Sequence, residues 1–355
     1  MNNFEALKQY MIPSETLNNM LDVYKSIGQN KFLFESLGDS KYYLMEQGLE
    51  RDTFFLASLL NLNITDNRMR LLITKNSNPV NNEEKTLVGL KEVLRTIRND
   101  APIHTFNGSD LLLYLNRIFG KNSHKFTTRS IKDVTGISTR SKVPSIRLAY
   151  EQMLDEYHQN ITKKSYEKLH LSIIAYLETE LMKPMSDHNE LASLLALYYM
   201  IIRSNLDVFY YISFFELLIT NKDSWDNQKQ LSFINFPTTH LHITGIIDQL
   251  FVLIKKAYKD LDDVIRTNTY DKYMFKSDGI EQTIYNLPST FSKEDIRKFH
   301  PEVSDSTINR ALFKLRDENI IIPLGKGRSA RWVKVIKDDD PRSIFGQSYE
   351  IPNKH

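Results

Sequence analysis

The sequence contains no cysteine, which excludes disulfides, thiolate zinc sites and cysteine nucleophiles and suits a reducing compartment. Glycine and proline are scarce and scattered, 12 and 11 in 355 residues, so no collagen-like or low-complexity tract is present. No apolar run is long enough to span a bilayer: the longest, Leu191 to Ile202, falls well short of roughly 20 residues and reads as a buried helix. The opening residues, Met1-Asn2-Asn3-Phe4-Glu5, lack a basic region followed by an apolar one, so the expectation is a cytoplasmic chain with no signal peptide and no membrane partner. Charge of one sign is not in excess either. Forty-six Lys and Arg face 44 Asp and Glu, a net +2, so any case for nucleic acid has to be local. Neither G-x-x-x-x-G-K-[ST] nor a G-x-G-x-x-G after a strand occurs.

What is present is the composition of a globular protein, 41% hydrophobic and 25% charged, with length enough for two or three domains. Most of the first 275 residues follow helical spacing. Leu169, Ile173, Tyr176 and Leu177 line one apolar face. Leu191, Leu194, Leu195, Tyr198, Ile201 and Ile202 belong to a helix apolar nearly all round, which predicts a central position. Val208 to Ile219 and Ile246 to Ala257 predict two further helices, and Pro102, Pro144, Pro237 and Pro288 read as helix stops. The expected division is an N-terminal helical region over 1–105, a helical core over 106–275, a compact module over 277–337 and a tail over 338–355, with the boundary near Lys276-Ser277-Asp278-Gly279.

The segment His170 to Thr179, the stretch Leu181-Met182-Lys183-Pro184-Met185-Ser186-Asp187-His188-Asn189-Glu190-Leu191, and the run Leu194 to Met200 followed by Asp207 to Ser213 together resemble the core of the Fic (filamentation induced by cAMP) family. The resemblance covers roughly residues 50 to 260 and implies a mainly α, Fic-like helical bundle with an N-terminal helical extension. Family members in general transfer a nucleotide from ATP to a hydroxyl side chain, through a loop motif H-P-F-x-D-G-N-G-R between two buried helices. In that motif the His acts as general base, the acid holds a divalent cation, and the Gly-Asn-Gly-Arg segment binds phosphate at a helix start.

This sequence keeps the flanks and loses the chemistry. Lys183 stands at the base position, Pro184 is kept, Asp187 matches the acid and Asn189 the Asn. The loop is one residue short, both glycines are gone, and Glu190 replaces the Arg, so a carboxylate meets the place where phosphate would bind. Lys183 reads as a complement to a helix C-terminus, His188 as a polar loop residue with a displaced base as the competing reading, and Asp187 and Asn189 as caps of the following helix. The stretch Thr53 to Thr65, with Arg68 and its continuation, resembles the inhibitory helix that many Fic proteins carry, Ser/Thr-x-x-x-Glu-Gly/Asn. Here Leu56 takes the Ser/Thr position, Leu60 the Glu position and Asn61 the last. Loss of Arg and Glu together is coherent, because either alone would be a buried unpaired charge. His240-Leu241-His242 has no third ligand at a recognisable spacing, so no metal is expected there.

The C-terminal module is legible by itself. Ser292-Lys293-Glu294-Asp295 signals a helix start, Ile296 and Phe299 its apolar face, and His300-Pro301 its end. Val303-Ser304-Asp305 opens a second helix with Ile308, Ala311, Leu312 and Leu315 on one face and Ser306, Thr307, Asn309, Arg310 and Lys314 on the other. Ile320 to Ile322 and Ala330 to Val335 read as strands about a Gly325-Lys326-Gly327 turn. Between Ile320 and Lys337 stand five cations, Lys326, Arg328, Arg331, Lys334 and Lys337, and no acid. The pattern is that of a small α+β winged helix-turn-helix domain. Its candidate DNA contacts are Ser306, Thr307, Asn309, Arg310, Lys314, Lys326, Arg328 and Arg331.

The expectation is a catalytically inactive, Fic-like regulator with DNA as partner and no cofactor. Two competing readings stand beside it: a divergent nucleotidyltransferase using ATP and Mg through Asp187, His188 and Asn189, and a protein-interaction scaffold, as a homodimer or with another protein.

Overall fold

The computed structural model describes residues 4–75, 77–128, 145–234, 242–274, 276–300, 303–325 and 331–335. The chain forms two compact units, Met1–Asp262 and Asp263–His355. The division falls inside one long helix rather than near Lys276.

The first unit is helical. In order it contains α1 (Ser14–Gly28), α2 (Asn30–Ser36), α3 (Lys41–Ala57), α4 (Asp66–Lys75), α5 (Asn82–Asp100), α6 (Gly108–Phe119), α7 (Ile146–Lys163), α8 (Lys168–Met182), α9 (Asn189–Arg203), α10 (Phe214–Thr220), α11 (Lys222–Phe233) and the start of α12 (Thr244–Met274). Among the described residues no helix is long and apolar enough to cross a membrane. Caps follow local chemistry. Asn107 and Asp110 form a reciprocal capping box on α6, Asn81 caps α5, and Glu167 accepts from the first N–H groups of α8.

Helices α8 and α9 form the centre. Every residue from Leu191 to Ile202 is buried, as all-round apolar character requires, and so is every residue from Leu169 to Thr179, where one apolar face was expected; His170, Ser172, Glu178 and Thr179 are buried with the rest. Around them α7 packs on α8, while α5 packs on α3, α4 and α6. Gly89 lets α5 meet α6 closely, since a Cβ there would lie 2.7 Å from the Arg117 carbonyl oxygen. Residues Val208 to Ile219 are not one helix: a 3-10 turn, Asp207–Tyr210, precedes α10. The break is Ser213, whose hydroxyl caps α10 by accepting from Glu216 N–H at 3.0 Å and donates to Asp52 at 2.7 Å.

Asp52 is 0% exposed and accepts four hydrogen bonds, from Arg98 (2.8 Å), Tyr198 (2.9 Å), Ser213 and the Phe215 N–H (3.0 Å). Arg98 places its other donors on Tyr198 and on the carbonyls of Met45, Phe209 and Tyr210. The pair joins α3, α5, α9, the 3-10 turn and α10.

The second unit contains the rest of α12, then α13 (Lys276–Asn286), β1 (Thr290–Ser292), α14 (Lys293–Phe299), α15 (Asp305–Asp317), β2 (Ile321–Pro323) and β3 (Arg331–Lys334). The strands form one antiparallel sheet, order β1-β3-β2, with Phe291 opposite Trp332 and Ile322 opposite Val333. Its core is Ile280, Ile284, Leu287, Phe291, Ile296, Ile308, Ala311, Leu312, Leu315, Ile321 and Trp332. The Ser292–Asp295 capping box, the Ser304 cap and the apolar face of α15 agree with the sequence reading, and Asn319 is left-handed at φ 57°. Helix α13 and strand β1 were not expected. The sequence reading places only a boundary near Lys276 to Gly279, yet Ile280, Ile284 and Leu287 recur at helical spacing and close the core.

Removing one member of a buried, fully hydrogen-bonded ion pair leaves the other charge uncompensated, which costs about 3–5 kcal/mol, whereas an exposed pair contributes about 0–1 kcal/mol. Urea denaturation of Arg98→Met is therefore expected to show a loss in the first range. Arg51→Met, which removes the more exposed pairing with Glu216, is expected to fall in the second.

Candidate functional site

The loop between α8 and α9 carries the residues singled out in the sequence. Lys183 ends α8 in the left-handed region, φ 46°. Pro184 and Met185 are buried, and Met185 forms an isolated antiparallel bridge with Phe126. Thr127 N–H donates to the Pro184 carbonyl and Ser186 N–H to the Lys125 carbonyl, each at 2.8 Å. Asn189 clamps the loop: its Oδ1 accepts from Met185 N–H and its Nδ2 donates to the Met185 carbonyl, both at 2.9 Å. Asp187 accepts from the adjacent His188 N–H at 2.7 Å.

Two expectations are thereby corrected. The N-cap of α9 is His188, left-handed at φ 52°, and no side chain caps the helix. Asp187 and Asn189 do not cap it, because their polar atoms are engaged within the loop. His188 is also more than a surface loop residue. Its Nδ1 lies 2.9 Å from His124 Nε2, and its ring stacks on Phe119 with centroids 4.0 Å apart and planes at 25°.

Glu190 pairs with Lys222 of α11 at 2.6 Å. From there a chain of charges runs across the site: Lys222 to Asp226 (2.7 Å), Asp226 to Lys229 (3.1 Å), Lys229 to Glu180 (3.0 Å). Ser193 donates to Glu180 as well. Burial raises the Asp226 carboxyl, but hydrogen bonds from Lys222 and Lys229 outweigh it and hold it below the usual carboxylate range. Burial lowers the Lys229 ammonium, and Glu180 and Asp226 more than reverse that. The sequence reading missed these lysines. Their signal was the Lys222, Asp226, Lys229 spacing along one face of α11.

No protein-family model matches the sequence, and no curated protein matches it. Solved structures do match. A Fic family protein from Desulfovibrio desulfuricans aligns over 93% of this chain and 99% of its own, at 12% identity and a TM-score of 0.52. A Fic domain containing signaling protein from Bacteroides thetaiotaomicron aligns over 68% of this chain and 97% of its own, at 14% identity and a TM-score of 0.52. The chain has the Fic fold.

Within this Fic fold, the segment that resembles an inhibitory helix is the end of α3. Leu56 is fully buried, Leu60 closes a 3-10 turn, Ser58–Leu60, and Asn61 leaves it left-handed at φ 49°. Arg68 is held by both carboxylate oxygens of Glu84 (2.9 and 2.7 Å) and by the Asn78 carbonyl. That bond, with the Val80 N–H, holds the Glu84 carboxyl down to about 2. His240 lies outside the described residues, and among those described no group of three metal-binding side chains converges.

The candidate DNA residues lie in the second unit. Ser306, Asn309, Arg310 and Lys314 line one shallow groove on α15 with Phe313 and Asp317. The Ser306 and Thr307 hydroxyls turn onto the Ser304 cap, at 2.8 and 2.9 Å. Asn309 is half-buried, with Oδ1 unpartnered. Arg310 is exposed and forms no ion pair among the described residues. Lys314 donates to both oxygens of Glu281 at 2.9 Å. Arg331 is exposed at the start of β3, and Lys326 and Arg328 lie outside the described residues. Lys334 is not a free wing cation. Its ammonium donates to the carbonyls of Tyr285 (2.7 Å) and Leu287, and burial pushes it down to about 8.

His124 is 6% exposed, and burial, then the neighbouring His188, lowers its pKa, with Asp187 opposing. The folded chain thus binds this proton more weakly than the unfolded chain does. Its stability is expected to be complete above about pH 6.5 and to fall as the pH drops below that value. Urea midpoints measured from about pH 7.5 down to about pH 5 should decline in wild type and decline less steeply in His124→Gln.

Proposed function

We propose that this chain is a catalytically silent Fic-fold regulator that binds DNA through its second unit. The observation that carries the first half is Glu190. It stands where the resemblance puts the phosphate-binding Arg, and it is neutralised by Lys222 from within the chain. A nucleotide triphosphate would meet a carboxylate, a loop without the two glycines, and an Asn whose amide already holds Met185. Lys183 stands at the base position in place of the family's His, so the side chain that the motif uses as general base is missing there.

Helix, strand, two helices and a hairpin, with sheet order β1-β3-β2, support reading the second unit as a winged helix. Its second helix-turn-helix element, α15, offers Ser306, Asn309 and Arg310 along one face, and Arg331 opens the returning strand. A protein-contact reading draws on the neutralisation of Lys314 by Glu281 and of Arg316 by Asp317, which leaves little net charge on that helix.

With labelled ATP and Mg, no transfer to the chain or to proteins of a lysate is expected. Lys183→His alone is expected to leave that result unchanged, because a base without a phosphate cradle does not hold the reacting group. Label that disappears in Asp187→Ala would overturn the silent reading in favour of a divergent transferase.

DNA binding is measured by fluorescence anisotropy of the full chain with duplex DNA over a range of salt. Affinity is expected to fall with salt, with a log–log slope of about −0.9 per phosphate neutralised. Arg331→Ala should reduce that slope by about one for all sequences, whereas Arg310→Ala should also relax preference at one base position. Absence of binding at low salt moves the assignment to protein contacts.

A further inference from the structure

At the α8–α9 loop, one pair of side chains is built for something the proposed function does not use. His124 follows α6, and His188 precedes α9; their Nε2 and Nδ1 atoms are 2.9 Å apart. The surroundings decide which proton sits where. Ser123 Oγ donates to Asn116 Oδ1 at 3.3 Å, so its single proton is engaged. With that proton on Asn116, the hydroxyl accepts at 2.9 Å from His124 Nδ1, which is the tautomer that carries the proton on Nδ1. Neutral His124 consequently aims an unprotonated Nε2 at His188. Asn116 also accepts from the His124 N–H at 2.9 Å, anchoring the backbone, and Phe119 fixes the plane of the His188 ring.

We propose that His124 Nε2 and His188 Nδ1 form a chelate for one borderline divalent transition-metal ion, which takes the place of the proton now between them. Tetrahedral coordination with metal–nitrogen bonds of about 2.0–2.1 Å separates two ligand nitrogens by about 3.3 Å, a few tenths more than the observed contact. An imidazole whose other nitrogen donates to a fixed hydroxyl is the arrangement that holds a ligating histidine in one tautomer and orientation. His188 need only carry its proton on Nε2 instead of Nδ1. Two imidazoles select zinc, nickel, cobalt or copper over magnesium or calcium. No third ligand is already in place among the described residues, so water completes the sphere, with Asp187 near enough to join it: its Oδ2 lies 3.7 Å from His188 Nδ1. An ion there ties the turn after α6 to the start of α9.

The test uses the full chain, stripped of metal, titrated calorimetrically with Zn²⁺ at about pH 7.5, where imidazole is neutral. The chain has nine histidines, so variants must separate this pair from adventitious sites. His188→Asn removes the ligand but keeps a residue that tolerates the left-handed backbone. Ser123→Ala leaves both ligands and removes the positioning hydroxyl. The expected result is one saturable ion per chain with a raised Tm, at least tenfold weaker (about one decade) in His188→Asn and roughly tenfold weaker in Ser123→Ala. Circular dichroism checks that both variants fold. No saturable binding, or equal binding by wild type and His188→Asn, overturns the proposal and leaves the contact a hydrogen bond only.

Discussion

Five segments of the first unit meet at one buried ion pair. Asp52 is fully buried and Arg98 nearly so, and their polar atoms are satisfied by protein. Every N–H group of the guanidinium points at an acceptor, on Asp52, Tyr198 or three backbone carbonyls. Those carbonyls belong to α3 and to the 3-10 turn before α10, segments with no regular ladder between them. The pair thereby sets where α9 lies, through Tyr198, and where α10 begins, through Ser213. With α9 fixed and α8 buried against it, the loop joining them has little freedom left.

The apolar packing of α8 and α9 is carried by their own buried residues, and Pro184 and Met185 of the loop between them are buried as well. The loop still has to satisfy its own polar groups. It does so internally: Asn189 on Met185, Asp187 on His188, Ser186 and Pro184 on the backbone of Lys125 and Thr127. Across the site, alternating acids and lysines from α8, α9 and α11 neutralise one another.

Helix existence was legible wherever apolar spacing was strong, as in α8, α9 and α15, and a cap was legible where Ser292 met an acid three residues on. Ser213 was not: in sequence it sits in an apolar run, and only the presence of Asp52 turns its hydroxyl into a helix start. Strand β1 is three residues long and exists because Phe291 meets Trp332 across the sheet. Lys334 counted as a wing cation in the sequence, yet burial directs its ammonium to two carbonyls.

By itself the sequence determined the helical class of the first unit and, in the second, α14, α15, β2 and β3, because local spacing and side-chain type suffice for each. The tertiary structure alone decided who neutralises Glu190, what caps α9, and that His124 meets His188. Those partners stand far apart in the chain, Lys222 32 positions from Glu190 and His124 64 from His188, and no local rule carries information across such a separation. Only the closing of the core, which brings α6 and α11 up to the α8–α9 loop, puts them within bonding distance.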